Sequence, residues 1–139
     1  MSDFDSFNWQ GKKILIVDDD RPSIILLTVL LQRCGAKLFY ANNGQQAIDV
    51  VNQNPDIDLI LMDIQMEGMS GIEASRIIRK SHPEMPIIAQ TACVMTGDKE
   101  RCIAAGCIEY VSKPIDAIKL LKIIDKYLNV VKLEHSAKE

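Results

Sequence analysis

No stretch of this 139-residue chain approaches the roughly 18 consecutive apolar residues of a membrane-spanning helix, so bilayer insertion is not expected. Basic charge is not in excess either: 16 Lys and Arg face 19 Asp and Glu, for a net charge of −3. A binder of phosphate backbones would need a basic stripe, so no direct nucleic-acid partner is expected. Histidine is nearly absent. His82 and His135 lie in polar stretches with no acid or thiol cluster beside them, which leaves neither as a catalytic candidate. The four cysteines, Cys34, Cys93, Cys102 and Cys107, form no CxxC pair and lack the spacing of a zinc site. They read as buried thiols in a reducing compartment. The acidic, polar start "MSDFDSFNWQGKK" is no secretory signal, and the expected location is cytoplasmic. Repeats and low-complexity segments are missing as well.

What the chain does contain is an alternation. Short apolar runs read as buried strands: "KILIVD" (13–18), "KLFYA" (37–41), "DLILMD" (58–63), "PIIAQT" (86–91) and "IEYVS" (108–112). Between and after them, helical periodicity predicts helices at about 22–34, 45–53, 70–80, 97–105 and 116–128. Ser70 with Glu73 predicts a capping box for the third helix. Gly35 and Gly106 stand where left-handed residues end helices, and Pro55 and Pro83 where helices cannot continue. In the last helix Ile118, Leu121, Ile124 and Leu128 are expected to face the core, with Lys119, Lys122 and Lys126 in water. Five strands alternating with five helices predict an α/β fold, a doubly wound parallel sheet covered by helices on both faces. Residues 12–128 form the expected domain, with 1–11 an N-terminal extension and 129–139 a short charged tail.

Sheets of this kind bind ligands at the carboxyl ends of their strands, and those ends carry unusual chemistry here. Strand one runs into Asp18, Asp19 and Asp20, strand three ends in Asp63, strand four in Thr91, and Lys113 follows strand five. Asp20, just before "RPSIILL", is expected to cap the first helix. The remaining acids converge on one rim, where two unit charges about 4 Å apart repel by roughly 4 kcal/mol at an effective dielectric near 20. Lys113 supplies one compensating charge. With carboxylate, carbonyl and water as the available ligands, a hard divalent ion is expected to supply the rest: Mg2+, or Mn2+ in its place.

Over residues 12–128 the chain resembles the receiver domain of two-component and phosphorelay response regulators. "ILIVDDD", "DLILMDIQMEGMSGIEA", "PIIAQTA" and "YVSKPI" look like that family's signature blocks, in order and at its spacing. The stretch 86–115 and the lead-in "FNWQGKKILIVDDD" are most similar to receivers associated with hybrid histidine kinases. The resemblance implies a flavodoxin-like (βα)5 fold with strand order 2-1-3-4-5. It also implies a domain that is not an enzyme in the ordinary sense but catalyses its own phosphotransfer and dephosphorylation. Asp63 would be the phosphoacceptor. Asp18, Asp19 and Asp63, with the backbone carbonyl of Gln65, would hold Mg2+. Thr91 would bind a phosphoryl oxygen, Lys113 would pair with the phosphate, and Tyr110 would be the switch aromatic. The donor would be a histidine kinase or histidine phosphotransfer protein, and a downstream protein target would read the switched surface.

Where the family usually has proline after the phosphoacceptor, this chain has Glu67, which loosens the loop and adds negative charge. Gln65 and Cys93, two residues after Asp63 and Thr91, offer no carboxylate to orient a hydrolytic water, so a long-lived phosphoryl group is expected. A flavodoxin-like electron carrier would want a Ser/Thr/Gly-rich loop after strand one, and a haloacid-dehalogenase-type phosphatase an acid at position 65. The alternative from another class is a pseudo-receiver that docks without phosphorylation, but such modules usually lose the acid pair, the phosphoacceptor or the lysine. In the first helix Leu26, Leu27, Leu30 and Leu31 are assigned to the sheet, leaving Ile24, Ile25 and Val29 at the side or outside. Either another segment, such as that of Trp9, covers these three, or they form a docking patch.

Overall fold

The computed structural model describes the backbone of residues 7–91 and 97–137, and the side chains of these except residues 98 and 130–137. The elements run β1 (Lys13–Val17), α1 (Arg21–Arg33), β2 (Lys37–Ala41), α2 (Gly44–Gln53), β3 (Leu59–Asp63), α3 (Gly71–Ser81), β4 (Ile87–Thr91), α4 (Asp98–Ala104), β5 (Glu109–Ser112) and α5 (Ala117–Ala137). The strands form one parallel sheet in the order β2-β1-β3-β4-β5. This is the expected flavodoxin-like order.

Alternation along the strands makes two cores. Leu15, Val17, Ile60, Met62, Ile87 and Ala89 face α2, α3 and α4, while Ile14, Ile16, Leu59, Leu61 and Ile88 face α1 and α5. Both faces of β3 and β4 are apolar and enclosed, which is why their sequences run without polar alternation until the last residues.

Most predicted boundaries hold within a residue or two. Asp20 caps α1, accepting from the Ser23 N–H at 3.2 Å and the Ser23 hydroxyl at 2.7 Å. Ser70 caps α3 by accepting from the Glu73 N–H, while the Glu73 carboxylate turns to Arg76 instead of completing a box. Gly35 and Gly106 have φ of 92° and 107°, the left-handed conformation expected after a helix.

Three further expectations need correction. On α1 the buried positions are Leu27, Leu30 and Leu31, with Cys34 beyond the last turn; Leu26 is 44% exposed. Leu27, Leu30, Leu31 and Cys34 follow the i, i+3, i+4, i+7 stripe, which leaves Leu26 off the sheet side. On α5 the core takes Leu120 together with Leu121, Ile124 and Leu128, and Ile118 is only half-buried. At 100° per residue Leu120 lies about 40° from Ile124 around the helix, whereas Ile118 lies about 120° away. The same helix continues beyond 128 to Ala137.

Candidate functional site at the carboxyl ends of the strands

The three consecutive acids separate as soon as β1 ends. Asp18 is fully buried, Asp19 is exposed on the rim, and Asp20 turns away to cap α1. A buried carboxylate needs hydrogen-bond or charged partners. The Asp18 Oδ1 accepts the Asp20 N–H at 2.8 Å, and its Oδ2 accepts from the Lys113 Nζ at 2.9 Å.

Asp63 closes β3 beside it. Its Oδ1 accepts the Gln65 N–H at 3.0 Å, which folds the start of the β3–α3 loop back onto the carboxylate. Its Oδ2 lies 3.7 Å from the Lys113 Nζ, an ion pair longer than a hydrogen bond. Carboxylate oxygens of Asp18, Asp19 and Asp63 all lie within 4.8 Å of one another.

Burial pushes the Asp63 carboxyl up to about 6, helped by the Asp18 charge and opposed by the Gln65 N–H and Lys113. Burial acts on Lys113 in the opposite sense. Its hydrogen bond to Asp18 and the charges of Asp63, Asp18 and Asp20 outweigh that effect and raise the ammonium above its usual value. The Asp63 shift thus comes chiefly from burial, and the Lys113 shift from the acids around it. The donor set consists of closely spaced hard oxygen atoms with no sulfur or imidazole, which fits Mg2+.

Thr91 ends β4 fully buried, and Tyr110 lies on β5 with its side chain half-buried against the α2–α4 core. Strand register pairs Ala89 with Tyr110 and Thr91 with Ser112, so Thr91 and Tyr110 share one face of the sheet. The Tyr110 hydroxyl is out of solvent, with the ring turned inward. Gln65 and Glu67 are both exposed on the loop after Asp63. Cys93, expected to flank the phosphoryl group, lies outside the described residues.

The profile of the response regulator receiver domain matches residues 14–125. The chain belongs to that family. Relatives include the polar-differentiation response regulator DivK of Brucella anthropi, 35% identical over 119 residues, covering 84% of this chain and 96% of DivK. The sensor histidine kinase GacS of Pseudomonas protegens is 32% identical over 123 residues, 85% of this chain but 13% of GacS. Against that kinase the chain spans a small part of the length. The receiver domain of the sensor histidine kinase PA1611 of Pseudomonas aeruginosa superposes with a TM-score of 0.79 at 30% identity. That alignment covers 86% of this chain and 98% of the neighbour, whose structure holds a magnesium ion in its active-site cleft.

Two residues beside this receiver's site were not singled out from the sequence. A Cβ on Gly71 would meet the Asp63 carbonyl oxygen at 2.2 Å and the Ile64 Cα at 2.7 Å. The first turn of α3 therefore rests on the backbone of the acid itself. The signal was the glycine of "MSGIEA", read only as part of a block. The second is Gln90, a polar residue inside the apolar run "PIIAQT", which is fully buried.

Proposed function

We propose that this receiver accepts a phosphoryl group on Asp63, from a phosphohistidine of a kinase or histidine phosphotransfer protein, and thereby switches a partner-binding surface. The observation that carries the reading is Lys113. Its side chain, just past β5, reaches Asp18 just past β1, placing an ammonium between two buried carboxylates.

Asp18, Asp19 and Asp63, with the Gln65 carbonyl, would hold Mg2+, which supplies charge neutralisation for the transferred group. An Asp63 carboxylate oxygen attacks phosphorus as the P–N bond to the donor imidazole breaks, and the bonding pair leaves with the imidazole. A carboxylate is a weak nucleophile, so alignment and neutralisation of the equatorial oxygens must lower the barrier. Lys113 offers its remaining N–H donors to those oxygens. Thr91 offers its hydroxyl, and its movement toward the phosphoryl group would let Tyr110 adjust on the face they share. Gln65 and Cys93 lack a carboxylate, which favours a phosphoryl group that outlasts water attack.

Delivery needs a surface. Ile25 and Val29 are each 58% exposed and Leu26 is 44% exposed, one turn apart on α1, the helix that Asp20 opens beside the rim. An apolar patch next to a reactive acid suits the helices that present a phosphohistidine. The Trp9 segment does not cover it: Trp9 packs into the α1–α5 core and donates its indole N–H to Asp125.

Incubation with acetyl phosphate and Mg2+ tests the chemistry. Acid-labile, hydroxylamine-sensitive label should appear on the protein, require the divalent cation, and vanish in Asp63→Asn. Undiminished labelling of that variant would sink the assignment.

A further inference from the structure

Gln90 contributes the largest unmet polar group in the described residues. It is fully buried on β4, and neither its amide oxygen nor its amide nitrogen has a hydrogen-bond partner among them. Buried amides left in that condition are rare enough to require a reason, such as an enclosed water or a functional partner. Position supplies one. Register places Gln90 between Asp63 on β3 and Val111 on β5. Alternation turns its side chain toward α1 and α5, the face shared by Leu61, Ile88 and Val111 and therefore by Asp63 and Lys113.

Lys113 must cross this ground. Strands β4 and β3 lie between β5, which it follows, and β1, whose terminal Asp18 it reaches at 2.9 Å. Alternation from Val111 sets Lys113 on the face that Gln90 occupies. An ammonium has three donors; one is given to Asp18, and Asp63 at 3.7 Å is too far for a full second bond. An unpartnered acceptor and an ammonium with donors to spare thus share one sheet face at the ends of adjacent strands.

We propose that Gln90 is a positioning residue for Lys113, its amide oxygen accepting from the ammonium directly or through one enclosed water while the lysine moves between carboxylate and phosphoryl oxygen. This rests on the phosphoacceptor reading of Asp63. It makes Gln90 a determinant of how fast the site is phosphorylated, and not of how tightly the acids hold Mg2+.

The test uses the full chain with Gln90→Leu and Gln90→Met, which keep volume and remove the amide. With acetyl phosphate at saturating Mg2+, phosphorylation should slow roughly tenfold in both. The Mg2+ dissociation constant should stay within about twofold, and the melting temperature should hold or rise, since an unpaired amide has left the core. In Mg2+-free protein the Lys113 ammonium 15N resonance should broaden by exchange with water in both variants. Unchanged phosphorylation rates and an unchanged ammonium signal would overturn the proposal. So would a joint loss of rate, Mg2+ affinity and melting temperature in both variants, which would mean damaged packing. Asp63→Asn run alongside separates the two layers: only label persisting there would bring down the phosphoacceptor reading itself.

Discussion

Asp63 carries a carboxyl that burial pushes up to about 6 from an ordinary 3.8, and the nearby N–H and ammonium offset that push only in part. Between those two values the folded protein binds more protons at this residue than the unfolded chain does. Stability contributed through Asp63 is therefore greatest below about pH 4, falls as pH rises, and levels off above about pH 6. Discounted for solvent screening, the rise from 3.8 to about 6 corresponds to roughly 1–2 kcal/mol of strain held in the ionised site. Asp63→Asn removes the titrating group and keeps its shape. In metal-free buffer the variant should be the more stable protein at neutral pH, by an amount of that order. Its advantage should shrink toward pH 4, and Mg2+ should narrow the gap by stabilising the wild type alone. Urea unfolding of both proteins across pH 4–7 measures it. A stability difference that stays constant over that range would mean the Asp63 proton is not held up by its surroundings. The same strain would be relieved by a cation beside these acids, which is consistent with the proposed function.

At the scale of elements, β1, β3, β4 and β5 place the acids, the hydroxyl and the lysine at or just past their ends, and α1 and α3 begin against that rim. Alternation and apolar runs made the five strands readable, because buried parallel strands have a signature that periodicity catches. The strand-end acids, hydroxyl and lysine could be gathered from that reading alone. Helix faces were less readable. The apolar side of "PSIILLTVLLQRC" is nearly continuous, so the sequence does not say which leucines meet the sheet, and Leu26 was misplaced. That ambiguity follows from the excess of apolar residues on α1, and the excess is what forms its exposed patch. Changing Ile25 and Val29 together to Lys should slow phosphotransfer from a protein donor by tenfold or more, since burying each side chain against a partner is worth about 1–2 kcal/mol. Transfer from acetyl phosphate requires no docking surface and should change by less than about twofold. A parallel loss with both donors, followed by stopped assays of each, would show a damaged helix and remove the patch from the account.

Across the whole molecule, the two ends of the sheet divide the work. Chemistry sits at the carboxyl ends of the strands, and cohesion is reinforced at the other. Arg79 of α3 donates to the carbonyls of Pro83, Met85 and Gly106, tying the α3–β4 loop to the turn before β5. Trp9 does the same for the opposite face. Its N–H donates to the Cys34 carbonyl at 2.7 Å, its own carbonyl accepts from Lys12, and its indole reaches Asp125 on α5 at 2.9 Å. Nothing in the sequence signals this role, because a lone tryptophan in a polar lead-in carries no periodicity; the long-range partner 116 residues away exists only in the fold. We therefore propose that the folding unit begins before residue 12. Trp9→Ala should cost about 3 kcal/mol or more of unfolding free energy, as for other buried aromatics. Trp9→Phe keeps most of the ring and forfeits the hydrogen bond to Asp125, so its cost should be nearer 1 kcal/mol. Because Trp9 packs at the far end of α1 from Asp20, both variants should take phosphate from acetyl phosphate at the wild-type rate below their melting transitions. Urea denaturation and labelling on the same preparations provide the two readings. If Trp9→Ala slowed phosphorylation while still folded, the lead-in would be coupled to the site, and the separation of cohesion from chemistry would fail.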